Sequence, residues 1–446
     1  MLCVGYRFWP VFSVFIIILI LFNSHTHTLD VKGEGSGDYP PPVNGDWIIR
    51  DTTRVSNETI FLEGLLNVTN NAFLTLDNVT LIFNISSVFN PRIYVDWGAE
   101  LLVLNSNITS TQTLYSFEAN GNLTIDNSIL SRIDNGIRLN LGNYTISNST
   151  LFNNPQYAVM CMGDIALYYN ESLAKVVLYN NTIHSNYCAL AVSYFHEPYL
   201  CNNNIFNNDW GIICQVYGSL VMYGNHISHN TMGGIKGELG YFWLENNTIA
   251  SNGGYGVKGD HTTIYANNNT IFDNELWGIY AFNAPIIHDN NTFSMDGSSE
   301  SQGGLLQEWE VLVNVKNVAN KTLRGVNLTL YDSLGNMIWT AETIGSVRRV
   351  VLKEYEILNE GTEINHMPFA INATKGDYFY NNTYEVDPYE EIIIILEYEE
   401  EQEPEENPAK RVVPSWIIAM LSIIWLLAFI FVILGASVNY FRNRKP

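Results

Sequence analysis

The stretch at 180–186 reads NNTIHSN, and closely related heptads recur at 202–208, 246–252, 268–274 and 290–296. The central apolar residue of the unit returns every 22 residues, at Ile183, Ile205, Ile227, Ile249, Ile271 and Phe293. Three residues later comes a second series, Asn186, Asn208, Asn230, Asn252, Asn274 and finally Asp296. A fixed period in the low twenties is typical of a solenoid in which each repeat forms one coil.

Three short strands fit within one coil, and no helical spacing of apolar residues separates them. In the Ile249 coil they centre on Thr248–Ala250, Gly256–Lys258 and Thr263–Tyr265. Parallel strands stacked about 4.8 Å apart would place the Ile series in one internal column. We expect the Asn series in an outer or turn column, with amides hydrogen-bonded along the stack. Glycines recur after these Asn residues, at Gly211, Gly234, Gly256 and Gly278, where a sharp corner needs a missing Cβ.

This N-x-I-x-x-N pattern followed by Gly-Ile or Gly-Val resembles the right-handed parallel β-helix repeat family, the pectin-lyase-like superfamily. The resemblance covers Trp47 to Ser298, and the opening at 45–84 is similar to exported archaeal surface proteins. It implies an all-β solenoid, in a family of polysaccharide lyases and hydrolases, adhesins and periplasmic maturation factors. Upstream, the repeat phase is predicted at Leu81, Ile108, Ile129 and Leu151, with an inserted loop at Tyr168–Lys175.

The two ends of the chain predict export and anchoring in a membrane. Residues 1–29 have the layout of a signal peptide or an uncleaved signal-anchor, and 30–45 form a Gly- and Pro-rich tether. Residues 413–438 include 23 uncharged residues, Trp416 to Val438, enough for one transmembrane helix. The basic tail, 439–446, places the C-terminus in the cytoplasm and the bulk of the chain outside the cell membrane.

Between these ends the pattern predicts two folded units. The β-helix is assigned to 46–300, and alternating strands at 305–397 predict a small β-sandwich, loosely similar to immunoglobulin-like or carboxypeptidase-regulatory modules. An acidic stalk, 398–412, follows. The chain has 22 Lys and Arg against 45 Asp and Glu, a net charge of −23, which argues against nucleic acid as a partner.

Charged residues at matching positions of two coils form the sharpest chemical pattern. Lys236 and Glu238 in IKGE correspond to Lys258 and Asp260 in VKGD, and His261 follows directly. If Ile235 and Val257 point inward, strand alternation turns these side chains outward on one face. Lysine beside carboxylates has the chemistry to act as base, acid or oxyanion stabiliser on a uronic-acid sugar. The alternative interpretation is a solvent-facing ladder of opposite charges, which is favoured because such pairs are common and weak.

Aromatic residues near that face are candidates for stacking on sugar rings. Those assigned to ligand binding are Tyr194, Trp210, Trp277 and Tyr280. The alternative is that several of them pack between coils or under a loop.

The sequence contains no spacing typical of a metal site, and no cofactor is predicted. The pairing of Cys188 with Cys201 is left open by the spacing. Asn-x-Ser/Thr sequons predict glycosylation sites, which are Asn57, Asn67, Asn78, Asn107, Asn122, Asn143, Asn246, Asn268, Asn290 and Asn327.

Together these observations predict a membrane-anchored surface protein whose β-helix is a rigid, non-catalytic rod for carbohydrate binding, adhesion or envelope structure. The alternative is a tethered polysaccharide lyase or glycoside hydrolase that acts on acidic glycans through the Lys236 to His261 face.

Overall fold

A computed structural model describes residues 38–84, 91–162, 175–194, 198–297, 303–359, 361–385 and 391–398. Within these ranges every regular element is a β-strand. Eleven successive coils of three strands form a right-handed parallel β-helix, and a small antiparallel sheet follows near the C-terminus. The predicted all-β solenoid is therefore confirmed.

The first six coils contain β1 (Trp47–Ile49), β2 (Thr52–Ser56), β3 (Thr59–Leu62), β4 (Leu66–Val68), β5 (Phe73–Asp77), β6 (Thr80–Phe83), β7 (Arg92–Val95), β8 (Glu100–Leu104), β9 (Asn107–Ser110), β10 (Tyr115–Ala119), β11 (Asn122–Asp126), β12 (Ile129–Ser131), β13 (Ile133–Leu139), β14 (Tyr144–Ser147), β15 (Thr150–Phe152), β16 (Tyr157–Met162), β17 (Val176–Tyr179) and β18 (Thr182–His184). Coils seven to eleven contain β19 (Cys188–Ser193), β20 (Tyr199–Cys201), β21 (Asn204–Phe206), β22 (Trp210–Gln215), β23 (Ser219–Tyr223), β24 (His226–Ser228), β25 (Gly233–Glu238), β26 (Tyr241–Glu245), β27 (Thr248–Ala250), β28 (Val257–Asp260), β29 (Thr263–Asn267), β30 (Thr270–Phe272), β31 (Ile279–Phe282), β32 (Ile286–Asp289) and β33 (Thr292–Ser294). The remaining strands are β34 (Leu305–Asn317), β35 (Arg324–Tyr331), β36 (Met337–Ile344), β37 (Arg348–Ile357), β38 (Glu363–Asn365), β39 (Phe369–Lys375), β40 (Tyr378–Tyr384) and β41 (Glu391–Leu396).

The three strands of each coil belong to three long parallel sheets, which we name A, B and C in chain order. On sheet C the predicted apolar column is confirmed, because Ile183 pairs with Ile205 and Ile249 pairs with Ile271, all fully buried. Among the repeat positions predicted upstream of Ile183, one was wrong. Leu130, not Ile129, pairs with Ile108, and Ile129 is 46% exposed.

Two ladders of buried asparagines run along the inside of the corners. Asn203, Asn225 and Asn247 line the corner between sheets B and C, where each amide donates to the next coil's Asn at 2.9–3.0 Å. The predicted Asn series forms the second ladder, between sheets C and A, with steps of 2.8–3.1 Å that end at Asp296. The amide stacking and the turn column are confirmed, and the side chains lie on the inside of the corner, not on the outside of the rod. These side chains point inward because they satisfy the backbone groups that the turn leaves without strand partners.

The recurring glycines owe their place to close approach between coils. A Cβ on Gly234 would lie 2.4 Å from the carbonyl oxygen of Gly256, and one on Gly256 would lie 2.5 Å from that of Gly278. Neither residue has a positive φ. The missing Cβ is therefore required by the next coil, which crosses directly over the corner, and not by left-handed backbone.

Sheet A continues without a break into the C-terminal part of the chain. Strand β34 pairs in parallel with β31 and then antiparallel with β37. The small antiparallel sheet has the order β36-β35-β39-β40. Its buried residues, such as Leu328 and Ile371, form one cluster with Val313 and Leu352 from the β34 and β37 strands. The segment Leu334–Asn336 lies in the turn that joins β35 to β36.

This C-terminal part also closes the end of the solenoid. Asn359, just after β37, accepts a hydrogen bond from the backbone N–H of Asp296 at 2.9 Å and donates to the Asp296 carbonyl at 2.6 Å. Ile357 joins the core of the β-helix. Asn359 thus supplies a further rung of the second ladder from a residue 63 positions away in sequence.

Several predicted segments lie outside the described residues. They are the signal or signal-anchor (1–29), most of the tether (30–37 of 30–45) and of the loop at Tyr168–Lys175, the acidic stalk except for Tyr398, the transmembrane segment (413–438) and the basic tail (439–446). In the part that the structure describes, no helix is long and apolar enough to span a bilayer.

Candidate functional site

The outer face of sheet A carries the predicted charged residues in adjacent coils. Ile235 and Val257 are fully buried, so the residues beside them point outward. Lys236 pairs with Lys258, and Lys258 pairs with Tyr280 on the following strand. The neighbouring column contains Glu238, Asp260 and Phe282. The structure therefore brings together the residues selected from the repeat, at one coil, about 4.8 Å, per step.

The two lysines have different surroundings. The Lys236 ammonium forms an ion pair with Glu238, at 2.9 Å. The Lys258 ammonium instead lies over the rings of Tyr255 and Tyr280, 5.1 and 5.8 Å from their centroids. No carboxylate of the described residues lies within ion-pair distance of Lys258. Lys258 is consequently a half-buried cation that is held by aromatic rings and remains without a neutralising anion.

Asp260 and His261 form a second feature of this face. The imidazole Nδ1 of His261 lies 2.7 Å from a carboxylate oxygen of Asp260, and its Nε2 lies 3.4 Å from the amide of Asn283. His261 occupies the corner between sheets A and B with φ of +49°, and its ring meets Phe282 edge to face. The carboxylate fixes the orientation of an exposed imidazole, which is the arrangement of a general base held by an acid.

Tyrosines complete the floor around Lys258. The rings of Tyr255 and Tyr280 stack at 5.1 Å, and the Tyr280 hydroxyl donates to Glu308 of β34 at 2.9 Å. Burial, and then the nearby Glu308 carboxylate, raise the pKa of both phenols. Both phenols therefore stay neutral. The C-terminal part of the chain contributes directly to this site through the bond from Tyr280 to Glu308.

The four predicted ligand-binding aromatics do not form one cluster. Trp210 is half-buried beside Gly233, one coil before Lys236, and Tyr280 lies next to Lys258. Tyr194 lies at the corner between sheets A and B, two coils before Lys236. Trp277 is only 6% exposed, with Lys353 over its ring at 5.8 Å. The prediction of Trp277 as a sugar platform was wrong, because it packs against the C-terminal part of the chain.

Sequence reasoning missed three parts of this surface. Tyr255 and Glu308 support Lys258 and Tyr280, and an aromatic ladder lies on sheet B, where Trp243 and Tyr265 stack at 5.1 Å with planes 3° apart. Trp243 is 37% exposed. The signal was available, since Trp243, Tyr265 and Ile287 are separated by the same 22 residues as the Ile column.

The residues of this site on the outer face of sheet A are half-buried. A cavity of about 330 Å³ lies elsewhere, at the corner between sheets C and A, lined by Ser251, Asp273, Glu275 and Met295 among others. Its lining includes none of the residues predicted for catalysis or ligand binding. Among the described residues, no group of three or more His, Cys, Asp or Glu side chains could hold a metal ion. The sheet A face offers cations, aromatic faces and a carboxylate–imidazole pair to a long ligand that lies along the rod.

The predicted sequons occupy several kinds of position. Asn57, Asn78, Asn246, Asn268 and Asn290 are exposed at the corner between sheets B and C, all with left-handed φ of 52–60°. Those within or beside strands are Asn67 on β4, Asn107 on β9, Asn122 on β11, Asn143 before β14 and Asn327 on β35. Cys161, Cys188, Cys201 and Cys214 are free thiols, so Cys188 and Cys201 form no disulfide.

Comparison with known proteins gives a match for the repeat region. Residues 163–294 match the family model described as right handed beta helix region. A comparison with curated proteins gave no match.

Among solved structures, the periplasmic alginate epimerase AlgG is 12% identical with a TM-score of 0.42, over 58% of this chain and 74% of that chain. The A-module of the mannuronan C-5 epimerase AlgE4 from Azotobacter vinelandii is 17% identical with a TM-score of 0.41, over 56% and 82%. PfbA, a surface adhesin of Streptococcus pneumoniae, is 11% identical with a TM-score of 0.33, over 67% and 90%. Identities of this size carry no information about activity.

Proposed function

We propose that the protein is a cell-surface β-helix rod that binds acidic carbohydrate along the outer face of sheet A. The observation that supports this most directly is Lys258, a cation between two tyrosine rings with no carboxylate partner among the described residues. On a chain with a net charge of −23, an unneutralised lysine at the centre of an aromatic floor favours an anionic ligand.

The chemistry of the floor fits a sugar acid. The half-buried rings of Tyr255 and Tyr280 offer apolar contact to the C–H groups of a pyranose ring. Lys258 lies beside them to pair with the sugar carboxylate, and the partly desolvated position strengthens that pair relative to one in open water. Lys236, one coil away, offers a second cation once its pair with Glu238 opens. A ligand that extends along the rod would meet these groups in order.

The rest of the chain fits this role. We assign residues 1–29 to export, 413–438 to a single transmembrane helix and 398–412 to a stalk that holds the body away from the membrane. In this proposal the C-terminal strands form a β-sandwich that connects rod and stalk. In this proposal the rod serves adhesion or envelope structure without catalysis.

The test is binding of acidic oligosaccharides to the detergent-solubilised full chain, by calorimetry or on a glycan array. Lys258→Ala should lower affinity at least tenfold, because it removes the cation and leaves the sugar carboxylate unpaired. Lys175→Ala removes an exposed cation just before strand β17 of sheet B, four coils from Lys258, and should leave affinity unchanged. Equal affinity of both variants and the wild type, or no binding of any acidic glycan, would refute the proposal.

The second candidate is a polysaccharide lyase or glycoside hydrolase, and the Asp260–His261 pair is the observation that favours it. In that case His261 would remove or deliver the proton while Lys258 holds the sugar carboxylate. Release of unsaturated or reducing-end products from acidic polysaccharides by the wild type, abolished in Asp260→Ala, would establish the enzyme. Binding that survives in Asp260→Ala, with no product from either protein, would support the rod.

A further inference from the structure

The corner between sheets B and C forms a ridge along the rod with one residue per coil in left-handed backbone. In the last three coils these residues are Asn246, Asn268 and Asn290, with φ of 55, 53 and 52°. Each begins an Asn-Asn-Thr sequon, whose threonines open the strands β27, β30 and β33. All three asparagines are exposed, so their side chains project from the ridge into solvent.

Several upstream ridge residues use their amides differently. Asn180 has the same Asn-Asn-Thr sequence, the same left-handed φ and an exposed position, but its Nδ2 donates to Asn148 at 2.7 Å. Asn148 in turn donates to Asp126 at 2.7 Å, and Asn127 donates to Asn105 at 2.8 Å. Within the described residues, the side chains of Asn246, Asn268 and Asn290 make no such bond. Their nitrogens are therefore available, and the Asn180 nitrogen is engaged.

We infer that Asn246, Asn268 and Asn290 are acceptor sites for N-linked oligosaccharide, carried on the ridge between sheets B and C. The donor is an oligosaccharide on a polyprenyl diphosphate. The Nδ2 nitrogen forms a bond to the anomeric carbon and loses a proton, and the bond from that carbon to the diphosphate oxygen breaks, so that polyprenyl diphosphate leaves. No oxidant or reductant is required. This inference rests on export in the proposed function, because transfer of this kind takes place outside the cytoplasm.

The spacing of the ridge limits how many glycans one molecule carries. Successive coils are about 4.8 Å apart, which is narrower than a branched oligosaccharide. Asn246 and Asn290 are two coils apart, about 9.6 Å, and leave room for one glycan each. A glycan on Asn268 therefore competes with both neighbours. We expect at most two of the three sites to be occupied in any one molecule.

The ridge also lies where a glycan leaves the proposed binding face free. Each coil runs through sheets A, B and C in turn, so the corner between B and C is opposite sheet A. Glycans there would cover the corner next to the exposed Tyr241 and Trp243 of sheet B. Lys258 and Tyr280 would remain open to a ligand on the other side of the rod.

The experiment expresses the full chain, with its own N-terminal segment, in cells that perform N-glycosylation. Glycopeptide and intact-protein mass spectrometry on the membrane fraction then give the occupancy of each site. We expect glycan at Asn246, Asn268 and Asn290, with no more than two of these three sites occupied in one molecule, and an unmodified Asn180. Asn268→Gln should raise occupancy at Asn246 and Asn290. The double change of those two to Gln should leave Asn268 as the occupied site of the three.

Three results would overturn the inference: no glycan at the three sites, equal occupancy at Asn180, or glycans on all three sites of one molecule. Acidic-glycan binding by the same preparation is measured separately through Lys258→Ala. Failure of the ridge inference is thereby distinguished from failure of the proposed function.

Discussion

Asp296 ends the second asparagine ladder with a carboxylate where the other coils have an amide that donates. We expect Asp296→Asn to stabilise the protein. Each ladder asparagine both accepts from the preceding coil and donates to a carbonyl inside the turn, as Asn274 does to Ile249 at 3.1 Å. Asp296 accepts from Asn274 through one oxygen, while its other oxygen is buried without a partner. A buried acceptor without a partner costs about 1–3 kcal/mol, and more when it is charged.

The size of the change in the free energy of unfolding follows from the pKa of Asp296. Burial raises the pKa of Asp296 to about 6, assisted by the neighbouring Asp273 and opposed by the hydrogen bonds from Asn274. The pKa of an Asp side chain in the unfolded chain is about 4. The difference between the folded and unfolded pKa values corresponds to about 3 kcal/mol in the free energy of unfolding. Because the folded pKa is the higher one, the folded state retains a proton that the unfolded state releases between about pH 4 and pH 6. The free energy of unfolding therefore falls as the pH rises through that range.

The assay is denaturant unfolding, followed by tryptophan fluorescence, from pH 4 to pH 8. We expect Asp296→Asn to match the wild type within about 1 kcal/mol at pH 4 and to exceed it by about 2–3 kcal/mol at pH 8. Asp289→Asn removes an exposed carboxylate from the same coil and should change stability by less than about 0.5 kcal/mol. The reasoning is refuted if Asp296→Asn is neutral or destabilising at pH 8, or if Asp289→Asn has the same effect.

Three further changes test the packing of the rod. Asn359→Ala removes both hydrogen bonds to the Asp296 backbone and should lower the free energy of unfolding by about 1–3 kcal/mol; unchanged denaturant midpoints would show that the ladder ends at Asp296. Gly234→Ala places a methyl group 2.4 Å from the Gly256 carbonyl and should lower the melting temperature or the soluble yield; a wild-type melting curve would contradict the close approach. Trp277→Ala should lower the free energy of unfolding by about 3–5 kcal/mol, because the Trp277 side chain is buried; unchanged stability together with lost glycan binding would instead show that Trp277 contacts the ligand.

The period of the repeat was sufficient to predict the solenoid. A 22-residue step leaves room for three short strands, and stacking then determines which residues are neighbours. The same step placed Lys236 beside Lys258 and Glu238 beside Asp260, as the structure has them. Where the period is irregular the prediction was wrong by one residue, at Ile129, because the neighbouring apolar Leu130 fits the alternation equally well.

The direction of the asparagines and the burial of Trp277 could not be predicted from the repeat. Asn is usually a surface residue, and its inward position here depends on backbone groups that become visible only when the turn is built. Trp277 occupies the same relative position as half-buried Tyr255, one coil earlier. It is buried because β34 and β37 return over the last coil, a contact between segments that share no period.

The geometry of the coil explains why function in this protein should lie in departures from the repeat. The backbone hydrogen bonds fix the rise between coils, so a substitution on an outer face changes chemistry without changing shape. The inner columns tolerate little variation. A Cβ at position 234 would lie too close to the next coil, and the Asp296 carboxylate leaves a buried oxygen without a partner, which lowers stability. In coils nine to eleven, sheet A has a group of charged and aromatic exceptions next to the C-terminal strands that add Glu308. A site placed there is held by the closed end of the rod, where the chain has the most support for side chains that do not serve the solenoid itself.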